Sequence, residues 1–133
     1  MEGENGAAAP AATIPLAGRD QTPVYAGRLE IRPADHAALV DGRPLILTVR
    51  ELQLLTELAH NAERVMTREE LYETVWGTPL RASDRSVDVY VHKLRTKLAV
   101  ALPEWGFIHT HFGFGYRFQP EPSHLFHSSG TGR

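Results

Sequence analysis

Apolar residues recur at two different spacings along this chain. Between residues 24 and 47 they form short runs separated by polar, Gly or Pro positions, and the runs are Val24 to Ala26, Leu29 to Ile31, Ala37 to Val40 and Leu45 to Leu47. Asp41-Gly42 precedes the last run and is a strong hairpin signal, because these residues tolerate the positive φ of a tight turn. The pattern predicts an antiparallel sheet of three or four strands.

After residue 47 the spacing becomes that of a helix. Two capping boxes, Thr48 to Glu51 and Thr67 to Glu70, predict the starts of two helices. The first helix has an apolar stripe made of Leu52, Leu55, Leu58 and Ala59. The second helix runs through Trp76 to a stop at Gly77 and Pro79. Between the helices, Val65-Met66 predicts a short strand.

A third helix is predicted over residues 85–99, and it has two different faces. At about 100° per residue, one narrow sector collects Val87, Val91, Leu94 and Leu98. The opposite side and its edges carry Arg85, Ser86, Val89, His92, Lys93 and Thr96. Ser83 or Asp84 is the expected N-cap.

Residues 107–118, FIHTHFGFGYRF, predict two strands folded over Phe112-Gly113-Phe114-Gly115. A sheet, three helices and a terminal hairpin make an α+β fold. We expect the folded unit to span residues 23–119. Residues 1–22 are rich in Ala, Gly and Pro and predict a flexible arm or linker, and residues 120–133 predict a disordered tail.

Composition narrows the class of protein. A chain of 133 residues allows one domain of ordinary size. No apolar run approaches the roughly 18 residues of a membrane span, and the start of the chain lacks the pattern of a signal peptide. The absence of Cys excludes disulfides, thiolate catalysis and Cys-ligated zinc. These features predict a cytoplasmic protein without membrane contact.

The net charge of −2 conceals an uneven distribution. Residues 1–80 contain 7 Lys or Arg and 12 Asp or Glu, whereas residues 81–119 contain 6 and 3. A nucleic acid responds to the local field, so the basic part matters more than the total. This basic part includes the third helix.

The outer face of the third helix fits the chemistry of a DNA groove. A rigid α-helix is about as wide as the major groove of B-DNA. Lys93 could donate to guanine O6 and N7, and Val89 could contact a thymine methyl group. Trp76, Arg81 and Arg95 flank the helix and are expected to meet phosphates.

Catalysis has little support in the sequence. His109 and His111 would share one strand face, and His124 and His127 lie in the tail, but neither pair has a third metal ligand or a H-E-x-x-H pattern. Gly113-x-Gly115 closes a hairpin instead of opening a helix, so it is a turn signal and not a phosphate loop. We predict no enzyme activity, no metal and no cofactor.

Three ordered motifs carry a resemblance to a known family. They are LTVRELQLLTELAHNAERVMTREELYETVWG, DRSVDVYVHKLRTKL and the closing I-x-T-x-x-G-x-G-Y-R-F of residues 108–118. Across residues 24–118 the chain resembles the OmpR/PhoB-type winged-helix DNA-binding domain of bacterial response regulators, the effector domain of two-component systems. The resemblance implies that helix 85–99 enters the major groove of double-stranded DNA, that hairpin 107–118 is a wing at the minor groove, and that the loop of residues 77–84 faces RNA polymerase or a sigma factor.

The resemblance also implies roles for single residues. Recognition-helix contacts fall on Arg85, Ser86, Val89, His92, Lys93 and Arg95. Phosphate contacts fall on Trp76 and Tyr116, and a wing contact falls on Thr110. Phe112 and Arg117, together with Arg81, complete the predicted DNA-binding set. Because one such module buries little surface, tandem or homodimeric binding is expected.

The chain departs from the family pattern in two ways. The wing commonly reads T-V-R-G, whereas here Phe112 replaces the Arg that enters the minor groove. Phe112 and Phe114 could wedge at a base step, pack on a protein partner or cover the core. A receiver domain usually precedes the fold, so we expect either the effector part of a longer protein or a standalone regulator. The alternative function is a protein adaptor that acts mainly on RNA polymerase or a sigma factor.

Overall fold

Four short strands form the N-terminal sheet of the computed structural model, which describes residues 20–123. They are β1 (Val24–Ala26), β2 (Leu29–Arg32), β3 (Ala37–Val40) and β4 (Arg43–Pro44), all antiparallel and adjacent in chain order. Asp41 and Gly42 have φ values of 52° and 79°, as the Asp-Gly turn requires. The sheet has four strands, within the predicted three or four, and the last strand lies at residues 43–44 instead of 45–47.

The three predicted helices are α1 (Val49–His60), α2 (Arg68–Trp76) and α3 (Ser86–Ala101). Both capping boxes are formed. The Glu51 backbone N–H donates to Thr48 Oγ1 at 3.1 Å, and the Thr48 N–H donates to Glu51 Oε1 at 2.9 Å. Gly77, with φ 83°, ends α2 as predicted. Local chemistry therefore sets the boundaries of the first two helices.

α1 is buried on more sides than its predicted stripe. Leu54 is fully buried and Gln53 nearly so, in addition to the stripe residues. One continuous core joins α1 to both other helices and to apolar side chains of both sheets. Glu51 is also buried, and its carboxylate accepts a hydrogen bond from Lys97 Nζ at 2.6 Å. This ion pair connects the start of α1 to α3.

The C-terminal sheet contains β5 (Val65–Thr67), β6 (Trp105–His111) and β7 (Gly115–Pro122) in the order β5-β7-β6. The strand predicted at Val65-Met66 is confirmed. The predicted end of the folded unit at residue 119 is wrong, because β7 continues to Pro122. Trp105 pairs with Pro122 and Gly106 with Glu121. The first residues of β6 therefore provide the pairing partners for the last two residues of β7.

The remainder of the predicted arm and tail, residues 1–19 and 124–133, lies outside the described part of the chain. Within residues 20–123, no helix is long and apolar enough to cross a membrane. The order of N-terminal antiparallel sheet, three helices and C-terminal hairpin is that of a winged helix, and this fold prediction is confirmed.

Candidate nucleic-acid interface

α3 presents one fixed outer face because its inner face is fully packed. Val87, Val91, Leu94 and Leu98 are buried in the core. The exposed positions on the other side are Arg85, Val89, His92, Lys93 and Thr96. Ser86 is half-buried at the first turn, and the helix runs from residue 86 to 101 instead of the predicted 85 to 99. The apolar period in the sequence thus located the exposed face.

The predicted residue Asp84 does satisfy a backbone N–H at the start of α3, although it lies one residue before the N-cap position. Arg85 occupies the N-cap position without a side-chain cap bond, and Ser83 does not cap. Asp84 Oδ1, one residue earlier, accepts the Ser86 backbone N–H at 2.8 Å. This hydrogen bonding by Ser86 lowers the pKa of Asp84. The carboxylate therefore stays charged at the positive end of the helix dipole.

Asp88 links α3 to β7. The Tyr116 hydroxyl donates to Asp88 Oδ1 at 2.5 Å, while Arg68 Nε and Arg85 NH1 lie 3.8 and 3.6 Å from the carboxylate. The Asp88 carboxylate therefore turns toward the hairpin and the start of α2. Burial first, and then the hydrogen bond and charge of Asp88, raise the pKa of Tyr116 to about 12.

Arg95 makes a second link between α3 and the hairpin. Its NH1 donates to Thr110 Oγ1 at 2.8 Å and to the Ile108 carbonyl at 3.2 Å. Its Cζ lies 5.7 Å from the centre of the Tyr116 ring. Arg95 and Thr110 therefore bind each other, and side chains from both strands of the hairpin hold it against the helix.

Trp76 and Tyr116 lie below the surface where phosphate contacts were expected. Trp76 is 8% exposed, stacks on Tyr72 at 4.8 Å and meets the edge of Tyr90 at 5.5 Å. Tyr116 is 7% exposed and uses its hydroxyl on Asp88. Burial leaves both rings little surface to offer a phosphate, and their contacts within the domain support α3. The phosphate contacts of both residues stay predictions.

Arg117 also lies away from the expected interface. Adjacent residues of a strand point to opposite faces, so Arg117 faces away from α3 while Tyr116 faces toward it. Arg117 pairs across the sheet with His109 and Val65. We therefore assign Arg117 to the outer face of the C-terminal sheet.

One basic residue near α3 was missed. Arg68, the first residue of α2, lines a cleft of about 270 Å³ between α3 and the hairpin tip, together with Arg85, His111 and Phe112. It also lies beside Arg81 in a second cleft. The sequence could have indicated this location, because Arg68 directly follows the Thr67 cap. It therefore begins α2 next to β5, the strand that joins the hairpin sheet.

His109 of β6 contacts acceptors within the hairpin itself. His109 Nε2 lies 2.7 Å from the Gln119 carbonyl and 3.7 Å from Glu121 Oε1. Among residues 20–123, no three His, Asp or Glu side chains are grouped to hold a metal ion. His124 and His127 lie outside the described residues.

The exposed helix face, the hairpin held beside it and the order of elements define a winged-helix domain of the transcriptional-regulator class. Residues 42–118 match the family model described as "Transcriptional regulatory protein, C terminal", and the chain belongs to this family.

Relatives support the assignment. The chain is 33% identical over 101 residues to the phosphate regulon regulator PhoB of Pseudomonas aeruginosa, covering 76% of this chain and 43% of PhoB. It is 32% identical over 103 residues to the sensory transduction protein RegX3 of Mycolicibacterium smegmatis, covering 77% and 45%. The chain thus spans less than half the length of these two regulators.

Two solved structures have the same fold. The DNA-binding domain of CpxR from E. coli superposes with a TM-score of 0.67 at 31% identity, covering 73% of this chain and 95% of that domain. The DNA-binding domain of Klebsiella pneumoniae RstA, solved in complex with its RstA box, gives a TM-score of 0.65 at 32% identity, covering 73% and 96%.

Proposed function

We propose that this domain is a sequence-specific double-stranded DNA-binding transcription regulator, with α3 in the major groove and the wing at the minor groove. The wing is the hairpin of residues 107–118. The observation that carries this proposal is the exposed polar face of α3, held rigidly beside the wing by the Asp88–Tyr116 and Arg95–Thr110 hydrogen bonds. Similar domains, those of RstA and AdeR, were solved in complex with DNA.

In this proposal, different residues on and near the exposed face of α3 contact bases and phosphates. Val89, His92 and Lys93 project from the middle of α3 and read base edges, and Arg85 and Ser86 act at its start. Arg81 and the newly located Arg68 lie near that start and contact phosphates. Arg95 and Thr110 position the wing instead of touching bases.

The test is selection of duplexes from a random pool by this chain. The affinity for the selected duplexes is then measured by fluorescence anisotropy at two salt concentrations. We expect a recurring motif that is bound far more tightly than the unselected pool. Motif copies spaced about one helical turn apart would support tandem or homodimeric binding. A salt-sensitive but sequence-blind curve would contradict sequence-specific reading.

Lys93→Ala should relax base preference at one position of the selected site. The ammonium is exposed in the middle of α3, 5.4 Å from the Tyr90 ring centre, where it can reach a guanine edge. The expected loss on the selected duplex is about 1 to 3 kcal/mol. Anisotropy with every single-base variant would measure it. Equal losses on selected and scrambled duplexes would refute the base contact.

Arg81→Ala should weaken binding to all duplexes alike. Arg81 is exposed in the loop before α3, so we expect a phosphate contact, and the salt slope should fall by about one. Arg43→Ala is the matched control, because Arg43 is exposed on β4 in the other sheet. An unchanged salt slope in Arg81→Ala, or an equal change in Arg43→Ala, would remove Arg81 from the interface.

We also infer that the loop of residues 77–84 contacts RNA polymerase or a sigma factor. Thr78, Pro79, Ala82 and Ser83 are exposed there, beside the DNA-facing helix. If the chain is mainly an adaptor, the double substitution Pro79→Ala and Ser83→Ala should reduce binding to RNA polymerase holoenzyme while DNA affinity stays unchanged. Unchanged holoenzyme binding would argue against this surface.

A further inference from the structure

The tip of the wing carries two exposed aromatic rings. Phe112 is 88% exposed and Phe114 is 73% exposed, although each ring is apolar. The Phe114 backbone N–H donates to the His111 carbonyl at 2.9 Å, and Gly113 adopts φ 84°, so a tight turn holds both residues at the end of the hairpin. Their exposure excludes the third sequence-based alternative, in which the rings cover the core.

The tip is fixed relative to α3. Thr110 and Tyr116 are opposite each other in the hairpin, and each is hydrogen-bonded to an α3 side chain. Phe112 and Phe114 lie in the turn, each two residues along the chain from Thr110 or Tyr116, so the tip extends at most about 7 Å beyond this rung at roughly 3.3 Å per residue. A duplex that receives α3 would therefore meet the rings at a defined place.

The surroundings of Phe112 suit a polyanion. Arg68, Arg85 and His111 line the same cleft as the ring. The carboxylate in this cleft, Asp88, already accepts the Tyr116 hydroxyl and lies near both arginines, which offsets its charge. An apolar ring bordered by guanidinium groups can enter between bases while phosphates lie on the cations.

The size of the tip favours a base step over a protein surface. Two rings can bury at most about 500 Å², because each aromatic side chain buries roughly 150 to 250 Å². A stable protein interface needs about 800 Å² on each side. Insertion at a base step requires only one ring.

We propose that Phe112 is a wedge that inserts from the minor groove and partly unstacks one base step, with Phe114 beside it at the groove wall. This inference rests on the proposed function and adds a specificity to it. Pyrimidine–purine steps unstack most easily, so the wing selects a TA or CA/TG step without hydrogen bonding to its bases. The duplex bends at that step.

The experiment uses the full chain and a selected duplex in which 2-aminopurine replaces single adenines in turn. At saturating protein, we expect fluorescence to rise several-fold at one pyrimidine–purine step. Phe112→Ala should abolish the rise at equal occupancy and weaken binding about tenfold. Phe112→Leu, which retains an apolar wedge, should keep most of the rise. Tyr25→Ala is the control, since Tyr25 is 70% exposed on β1.

Each contrary outcome has its own meaning. Sequence-specific binding without a fluorescence rise at any step, or a rise that persists in Phe112→Ala, overturns the wedge and leaves the proposed function intact. Loss of RNA polymerase binding in Phe112→Ala, with an unchanged duplex signal, assigns the tip to a protein and also overturns the wedge. Failure of the wild-type chain to bind any duplex overturns both proposals together.

Discussion

Gly115→Ala should destabilise the domain by about 3 kcal/mol or more, because an added methyl group would overlap neighbouring backbone. A Cβ at this position would lie 1.9 Å from the Met66 carbonyl oxygen and 2.9 Å from Thr67 Cα. These are main-chain atoms of β5, so no side-chain rotation can relieve the overlap. β5 and β7 would have to separate, which also disturbs the start of α2 at the Thr67 cap.

Gly106→Ala provides the matched control within the same hairpin. Its added Cβ would have no neighbour closer than 3.8 Å, which is ordinary contact distance. Urea denaturation followed by Trp fluorescence should show a large loss of stability for Gly115→Ala and little change for Gly106→Ala. Equal denaturation midpoints for the two variants would mean that β5 and β7 do not approach each other this closely.

Glu51→Ala is expected to cost about 3 kcal/mol, since one side chain performs two tasks. It accepts the Thr48 backbone N–H in the capping box, a contribution of about 1 kcal/mol. It also accepts a charge-assisted hydrogen bond from Lys97, worth roughly 1.5 to 3 kcal/mol. Urea denaturation at pH 7 would measure the loss. The comparison is Glu73→Ala, which removes an exposed carboxylate from α2 and should change stability little.

The contribution of Glu51 should depend on pH. Burial alone would raise the pKa of Glu51, but the hydrogen bonds from Lys97 and Thr48 outweigh it and hold the pKa below 4.5. The stabilisation is therefore complete above pH 4.5 and disappears as the pH falls through the lower folded-state pKa. The stability difference between wild type and Glu51→Gln should shrink between pH 5 and acidic pH. A difference that stays constant over that range would contradict the pKa direction.

Local signals in the sequence predicted the parts of the fold that local chemistry decides. The capping boxes at Thr48 and Thr67 and the Asp41-Gly42 turn each satisfy backbone groups within four residues of chain. The inner face of α3 was also predictable, because a helical period needs no knowledge of what packs against it. The strand predicted at Leu45 to Leu47 was displaced, since pairing with β3 occurs at Arg43 and Pro44 and only the Leu45 N–H still bonds β3, at the Ala38 carbonyl.

The candidate site was harder to predict because its residues meet across long stretches of sequence. Nothing near Arg95 indicates that its guanidinium binds Thr110, and nothing near Tyr116 indicates Asp88. The sequence predicts DNA contacts for an Arg and a Tyr beside a basic helix, and it gives no sign that both side chains also bind other parts of the domain. Arg68 shows the opposite difficulty, because the charge distribution along the sequence provides no reason to expect it at the interface. It lies in an acidic stretch of sequence, and the fold brings it next to Arg85 and His111.

The pairing of β5 with β7 has a consequence for the order in which the domain is made. Val65 pairs with Arg117. β5, which lies between the first two helices in sequence, can therefore pair only after β7 has been synthesised. A ribosome-bound chain that has emerged only as far as the end of α3 still lacks β7, and its α3 has no hairpin to contact. Such distant pairing slows folding. Competence to recognise an operator should therefore arise only after residues 115–122 have left the exit tunnel, and shorter nascent chains should not compete for promoter sites.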